Sequence, residues 1–336
     1  MAGRELSPAH AVRQMALGYI VSRSIGVVAE LGIADLLKDG PMTAERLAKA
    51  TDTHPNILHR LLRILAGEGV FKEEADGGFS LTPLSQALRT DVPDSVHAYV
   101  VMKHELEFPP LMELMHTVRT GEPAFVKTFG KPAFDYLKEN PAPAARFHAA
   151  MAAGHGEEDG EIAEAFDFSN VKHVVDVGGG NGSLLSALLD RYDHLTGTLL
   201  ELAPAIAAAQ SGAGGPLPRC DLITGDFLEE IPPGGDIYIL KKIIHNWNED
   251  AALAILRNCR RAMNKGGKVL IIETLVGAAN QPTWGKMQDF TMLLVFKGGM
   301  ERTAEEYAVL LGKADLKFDH VKEISPETAI VVSVAA

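Results

Sequence analysis

His245 lies in "ILKKIIHNWNED" (239–250), just past the apolar run "GDIYIL" (235–240) and two residues before Trp247. Such a run reads as a buried strand, and open α/β sheets bind ligands beyond the carboxyl ends of their strands. An imidazole, with a pKa of about 6.5, is suited to take a proton near neutral pH. Earlier, "VVDVGGGNGSLLSALL" (174–189) is strand, glycine turn and helix, with Asp176 in the strand and Gly178 and Gly180 in the turn. Glycines there let a ligand approach the main chain at a helix N-terminus. Ser183 stands where a full dinucleotide fingerprint has its last glycine, so the turn alone fits a dinucleotide, a nucleoside or no ligand. Glu201 follows Gly180 by 21 residues, the separation of a carboxylate that grips ribose hydroxyls; capping the helix near Ala203 is the other reading. Asp226 and Phe227 follow the third strand, where a carboxylate can accept from an adenine amino group and a ring can lie on its face. A loop acid beside a core phenylalanine would look the same.

The elements that must position these groups alternate from residue 171 onward. "KHVVDV" (172–177), "LTGTLLE" (195–201), "CDLIT" (220–224), "GDIYIL" and "KVLIIE" (268–273) are short apolar runs, with helical segments between most of them. That pattern predicts an α/β fold with a mostly parallel, doubly wound, Rossmann-like sheet. "FDHVKEIS" and "AIVVSVAA", joined across Pro326, predict a closing antiparallel hairpin. The N-terminal region is different: 18–37 carries one helical periodicity, and 42–85 reads as helix, turn, helix and a hairpin turning at Gly77-Gly78, with Thr43 as N-cap and Pro55 in a first helical turn. This is a winged-helix pattern. Three regions follow: a mostly helical winged-helix-like dimerisation domain at 1–98, a helical lid and connector at 99–165, and a ligand-binding catalytic domain at 166–336.

Composition excludes several classes. Residues 1–100 hold 10 Lys plus Arg against 12 Asp plus Glu, and the whole chain carries −12, so the winged region lacks a nucleic-acid footprint. No apolar run is long enough for a membrane span, and "MAGRELSPAH" lacks a signal-peptide core, so a cytoplasmic protein with no membrane partner is expected. Cys220 and Cys259 are read as small buried residues. None of the 12 histidines forms a convincing metal pair on ligand spacing, so no metal is expected. The apolar surface of 18–37 predicts a homodimer through the N-terminal helices.

"DVGGGNG", "GDF", "LKKIIHNWNED", "GGKVLIIE" and "GGMERTAEEY" together resemble, in order and spacing, the plant caffeate and flavonoid type O-methyltransferases and their bacterial relatives in antibiotic biosynthesis. The resemblance covers essentially the whole chain. It implies S-adenosylmethionine as cofactor, bound by Asp176, Gly178, Gly180, Glu201, Asp226, Phe227 and Lys241, and a small aromatic acceptor whose hydroxyl is methylated. His245 would be the general base, oriented by Glu273 at the end of the fifth strand and Glu301 before a late helix. Phe147, Met151, Trp247, Met292 and Phe296 would line the acceptor, although apolar residues at such spacing read equally as core. Two positions depart from the family: Glu201 stands where aspartate is usual, and Asn246 where His-Asp-Trp is common. N-methylation of a heteroaromatic ring, a nucleoside-sensing winged-helix regulator and a dehydrogenase on the same sheet are the rival readings.

Overall fold

The computed structural model describes residues 7–152, 155–211 and 217–336. Two compact units emerge, one from 1–108 with 137–154 and one from 109–136 with 155–336, so the segment 99–165 contributes to both.

In the first unit, Ser7 accepts from the His10 N–H and starts α1 (Pro8–Ala16), which buries none of its residues. Val12, Met15 and Tyr19 project from α1 and the start of α2 (Gly18–Glu30) at 61–79% exposure. The single helix expected over 18–37 is two. Gly32 adopts φ 63°, a left-handed angle that an α-helix cannot continue through, and a short helix restarts at Ile33–Leu36. β1 (Met42–Thr43) leads into α3 (Ala44–Thr51), which Thr43 caps by accepting from the Arg46 N–H, as expected. Pro55 opens α4 (Pro55–Gly67), and the hairpin β2 (Phe71–Glu73) and β3 (Gly78–Leu81) completes a small antiparallel sheet in the order β1-β3-β2. Leu47, Leu62, Leu65, Phe71 and Phe79 form its core.

α5 (His97–Met102) continues through a π-helical turn, Lys103–Glu107, and lies along α2. Two histidines fix that pairing. His97 Nε2 is 3.0 Å from the Ala29 carbonyl and His104 Nε2 is 2.8 Å from the Ser22 carbonyl, so side chains seven residues apart meet carbonyls seven residues apart. α6 (Pro141–Ala152) packs on α5.

The second unit is a seven-stranded sheet with helical crossovers. After α7 (His155–Ala165) come β4 (His173–Val177), α8 (Ser183–Arg191), β5 (Thr196–Glu201), α9 (Ala203–Ser211), β6 (Cys220–Thr224), β7 (Ile237–Lys241), α10 (Glu249–Ala262), β8 (Lys268–Glu273), α11 (Trp284–Val295), α12 (Ala304–Gly312), β9 (Leu316–Ser325) and β10 (Thr328–Ala335). The order is β6-β5-β4-β7-β8-β10-β9, with β4 to β8 parallel and β10 antiparallel to both its neighbours. The expected doubly wound sheet and closing hairpin are both present.

Alternate residues serve opposite faces. Val175, Tyr238 and Leu240 join one core while Val174, Ile237 and Ile239 join the other, which is why strands covered on both sides read as unbroken apolar runs. From β4 the chain first builds outward through β5 to β6, then returns to place β7 on the other side of β4. The carboxyl ends of β4 and β7 therefore flank the crevice where such sheets bind ligands.

A Cβ at Gly26 would overlap the His104 ring. We expect Gly26→Ala to destabilise the protein by about 1–3 kcal/mol, the usual cost of overpacking. Gly18→Ala, with nothing within 4 Å of the added carbon, should cost nothing. Equal urea midpoints for the two variants would contradict this account of the α2–α5 contact.

Candidate active site

The glycine turn between β4 and α8 is shaped by what surrounds it. Gly178 holds φ 72°, and an added Cβ would also lie 2.6 Å from Ile243 Cδ1, so a side chain there would meet both a strained backbone angle and an isoleucine that must move aside. Gly180 differs: it holds φ 60° with no atom within 4 Å of the position a Cβ would take, leaving room for a ligand against the main chain. Beneath the turn, Asp176 is 1% exposed and neither of its carboxylate oxygens has a hydrogen-bond donor among the described residues. Burial, reinforced by Asp159, pushes its pKa up to about 7, against the opposing charge of Lys241. Glu201, at the end of β5, accepts from the Leu202 N–H at 2.5 Å. Burial raises its pKa, while the N–H groups of Leu202 and Gly180 oppose the shift.

Asp226 is exposed, and its Oδ1 accepts from the Leu228 N–H at 2.8 Å, closing a local turn. Phe227 is half-buried, edge-on to Trp247 with ring centroids 6.0 Å apart. Lys241, the last residue of β7, is held by α7: its Nζ is 2.5 Å from Asp159 Oδ1 and 2.8 Å from Glu158 Oε2. Neither acid stood out in the sequence, where 154–166 reads only as an acidic connector.

β7 ends abruptly. Lys242 takes φ 55°, rare for a residue with a side chain, and the chain enters a short 3₁₀ turn, Ile244–Asn246. Asn246 Nδ2 donates to the Lys242 carbonyl at 3.1 Å and closes that turn, a bond an ionised aspartate could not make. The turn drives His245 inward to 6% exposure. Its Nδ1 donates to Glu301 Oε1 at 2.7 Å and lies 3.1 Å from Glu273 Oε2, while its backbone N–H meets Glu273 Oε1 at 3.3 Å. Two carboxylates on one ring nitrogen place the proton of neutral imidazole at Nδ1 and leave the Nε2 lone pair open. Burial lowers the His245 pKa below the ordinary imidazole value, with Glu273 opposing and Lys242 adding to the shift. The structure thus brings together the three residues singled out for acid-base work.

A second layer backs them. Asp289 Oδ1 accepts from the Glu301 N–H at 2.9 Å, the Arg302 guanidinium sits 5.8 Å from the Tyr307 ring, and Lys242 Nζ donates to Thr274 Oγ1 at 2.9 Å and the Glu327 carbonyl at 3.2 Å. Periodicity marked these residues only as helix or loop. The expectation of no metal rested on histidine spacing. One imidazole and two carboxylates whose ligand atoms all lie within 4.8 Å of one another come from three separate segments and are invisible to that argument.

The aromatic residues are divided. Trp247 stacks against Phe134 at 6.3 Å, and Phe134 meets Phe296 at 5.1 Å, so Phe227, Trp247, Phe134 and Phe296 form a continuous ring wall. Phe134 was not singled out, although it lies in the 99–165 region read as a helical lid and connector. Met292 is 5% exposed and packs as core. Phe147 and Met151 lie on α6 in the first unit. Of the cysteines, Cys259 is buried as expected, but Cys220 is half-buried because β6 is an edge strand.

A doubly wound sheet with a glycine turn, an acid at the next strand end and a buried imidazole clamped by two glutamates defines a methyltransferase-type site. Residues 111–317 match the O-methyltransferase domain family and residues 13–91 the O-methyltransferase dimerisation domain family. The chain belongs to the O-methyltransferase family, which decides against the regulator and the dehydrogenase. It is 38% identical to a phenazine O-methyltransferase of Lysobacter antibioticus, over 95% of this chain and 94% of that one. It is 32% identical to a phenazine-1-carboxylate N-methyltransferase of Pseudomonas aeruginosa over 100% of both. An O-methyltransferase from neocarzinostatin biosynthesis, solved with S-adenosylmethionine and 2-hydroxy-5-methyl naphthoic acid, superposes with a TM-score of 0.80 at 34% identity, covering 94% of this chain and 96% of that one. Among the described residues, no helix is long and apolar enough to cross a membrane.

Because the folded-state pKa of Asp176 is raised from 3.8 to about 7, the folded protein binds this proton more tightly than the unfolded chain does. Its contribution to stability is complete below the unfolded pKa and is lost as pH rises towards the folded one. Urea unfolding without ligand should therefore show wild type losing stability relative to Asp176→Asn from about pH 4 to about pH 7 and holding level above. Parallel profiles across that range would show Asp176 to be solvated or paired.

Proposed function

We propose that this protein transfers a methyl group from S-adenosylmethionine to a hydroxyl of a small aromatic metabolite, phenolic or polyketide-like, with His245 as general base. The observation that carries the reading is the double-glutamate clamp on Nδ1, which keeps Nε2 as a proton acceptor. The residues around the glycine turn fit a cationic nucleoside: open space beside Gly180, a carboxylate at the end of β5, and two donorless oxygens on Asp176. On this reading Gly178 and Gly180 line the methionine and ribose part, Glu201 takes the ribose hydroxyls, and Asp226 and Phe227 address the adenine. Lys241 and Asp176 complete the methionine end. When bound, the cofactor supplies an activated methyl on a sulfonium.

A phenol has a pKa of about 10, so little phenolate exists at neutral pH. His245 Nε2 takes the hydroxyl proton as the oxygen becomes nucleophilic, and the buried glutamates stabilise the imidazolium that results. Trp247, Phe134 and Phe296 offer flat apolar surface for an aromatic acceptor and keep water from the reacting oxygen. The dimerisation-domain match and the bare apolar face of α1 support a homodimer through the N-terminal helices. Two free thiols suit a reducing compartment, the cytoplasm.

A second reading has a ring nitrogen as acceptor, favoured by the similarity to the phenazine-1-carboxylate N-methyltransferase. The base separates the two. For hydroxyl acceptors, His245→Ala should lower the single-turnover rate by about 10² to 10⁴. That deficit should shrink with more acidic phenols or at higher pH, because the substrate then supplies its own phenolate. A deficit constant across a phenol series would leave His245 as an orienting residue, and robust transfer only to unprotonated nitrogen would favour the second reading. Glu201→Gln should weaken cofactor binding by about 1–3 kcal/mol, the range for hydrogen bonds to a charged group, as read by calorimetry. An unchanged dissociation constant would mean the ribose is held elsewhere.

A further inference from the structure

Glu273 and Glu301 are 0% and 2% exposed. Between them they offer four carboxylate oxygens, and among the described residues few donors face them. The His245 ring proton goes to Glu301 Oε1 and the His245 backbone N–H to Glu273 Oε1, while Glu273 Oε2 and Glu301 Oε2 have no hydrogen-bonded donor among the described residues. The approach of Glu273 Oε2 to Nδ1 at 3.1 Å does not remedy this, because one N–H directed at Glu301 cannot also serve Glu273 with good geometry. Two buried carboxylates this close to one donor repel each other, and a donorless ionised oxygen in a dry site is costly.

We propose that Glu273 and Glu301 hold one proton between them at neutral pH, so that His245 is clamped by a carboxylate and a carboxylic acid that share a single negative charge. The extra proton converts one donorless oxygen into a donor. It also leaves the cluster balanced when His245 takes a proton at Nε2: one imidazolium then faces one net negative charge, where a fully ionised pair would make the imidazole so basic that it would hold the proton and fail to release it.

The surrounding charges are consistent with a single shared proton. Lys242, from the end of β7, lowers the pKa of both glutamates; Arg302 lowers that of Glu301; Asp289, from α11, raises it; and Tyr307, on α12, is fully buried with its hydroxyl lacking a hydrogen-bonded acceptor of its own. Burial dominates for both acids, pushing Glu273 up to about 7 and Glu301 up to about 8. The inference takes from the proposed function only that His245 is the base, and its test needs neither cofactor nor acceptor.

Infrared spectra of the protein with ¹³C-labelled glutamate should be compared at pH 7.5 with those of Glu273→Gln and Glu301→Gln, after circular dichroism has established that each variant is folded. The label separates glutamate from any protonated fraction of Asp176, whose pKa is pushed up to about 7. We expect one glutamic-acid carbonyl band in wild type and its loss in either variant, since each leaves a single carboxylate that ionises beside the imidazole. Three results would overturn the proposal: no glutamic-acid band in wild type at pH 7.5, a band unchanged in both variants, or a band lost in only one, which would place the proton on that residue alone. If a variant fails to fold, the wild-type spectrum still decides, because a missing band there is sufficient to reject sharing. Normal methyl transfer with no band would reject this inference and leave the proposed function standing.

Discussion

The hydrogen of His245 Nδ1 is the point on which the site turns. It lies between Glu301 from the loop before α12 and Glu273 from the end of β8, and so ties the crossover after β7 to two segments far along the chain. An imidazole with a free choice of tautomer would be a poor base, because either nitrogen could carry the proton. Here burial and two glutamate side chains make the choice before any substrate arrives. Everything that brings those segments together, the parallel pairing of β7 with β8 and the Met300 N–H on the His245 carbonyl at 2.9 Å, serves that one atom.

The same economy appears on the cofactor side of β4. Asp176 is folded under its own glycine turn, and Lys241 at the end of β7 is held by Glu158 and Asp159 on α7. Three acids around one lysine make this pocket electronegative, which suits a ligand that brings positive charge and opposes one that brings phosphate. The two halves of the crevice are thus electrostatically alike: each keeps a buried acid near its protonation threshold.

Much of this was legible in the sequence, for identifiable reasons. Strands buried on both faces announce themselves as apolar runs, so β4 to β8 were found within a residue or two. Gly178 and Gly180, Glu201 and His245 stand at strand ends, where position alone implies function. The helix break was less visible: Gly32 sits in an apolar period that continues through it, and only its left-handed angle ends α2. Glu158 and Asp159 could not be told from solvated acids, because their partner lies 82 residues away for Asp159 and is known only once the sheet is built. Tyr307 and Arg302 looked like an ordinary helix and its approach. What sequence patterns lose is the pairing of charges across long loops, and that pairing is what sets the acidities here.

The strand furthest along the described sequence is not at the edge of the sheet. β10 slots between β8 and β9, and its Ala329 pairs with Glu273 itself. Until residues 328–335 emerge during synthesis, β8 is an apolar strand with one bare edge, available to any other strand that meets it. A chain lacking β10 would carry Glu273 at the end of a strand whose edge is unpaired, with one of the two acids beside His245 no longer held from that side. The strand that completes the sheet is thus also a neighbour of one of the two buried acids beside His245.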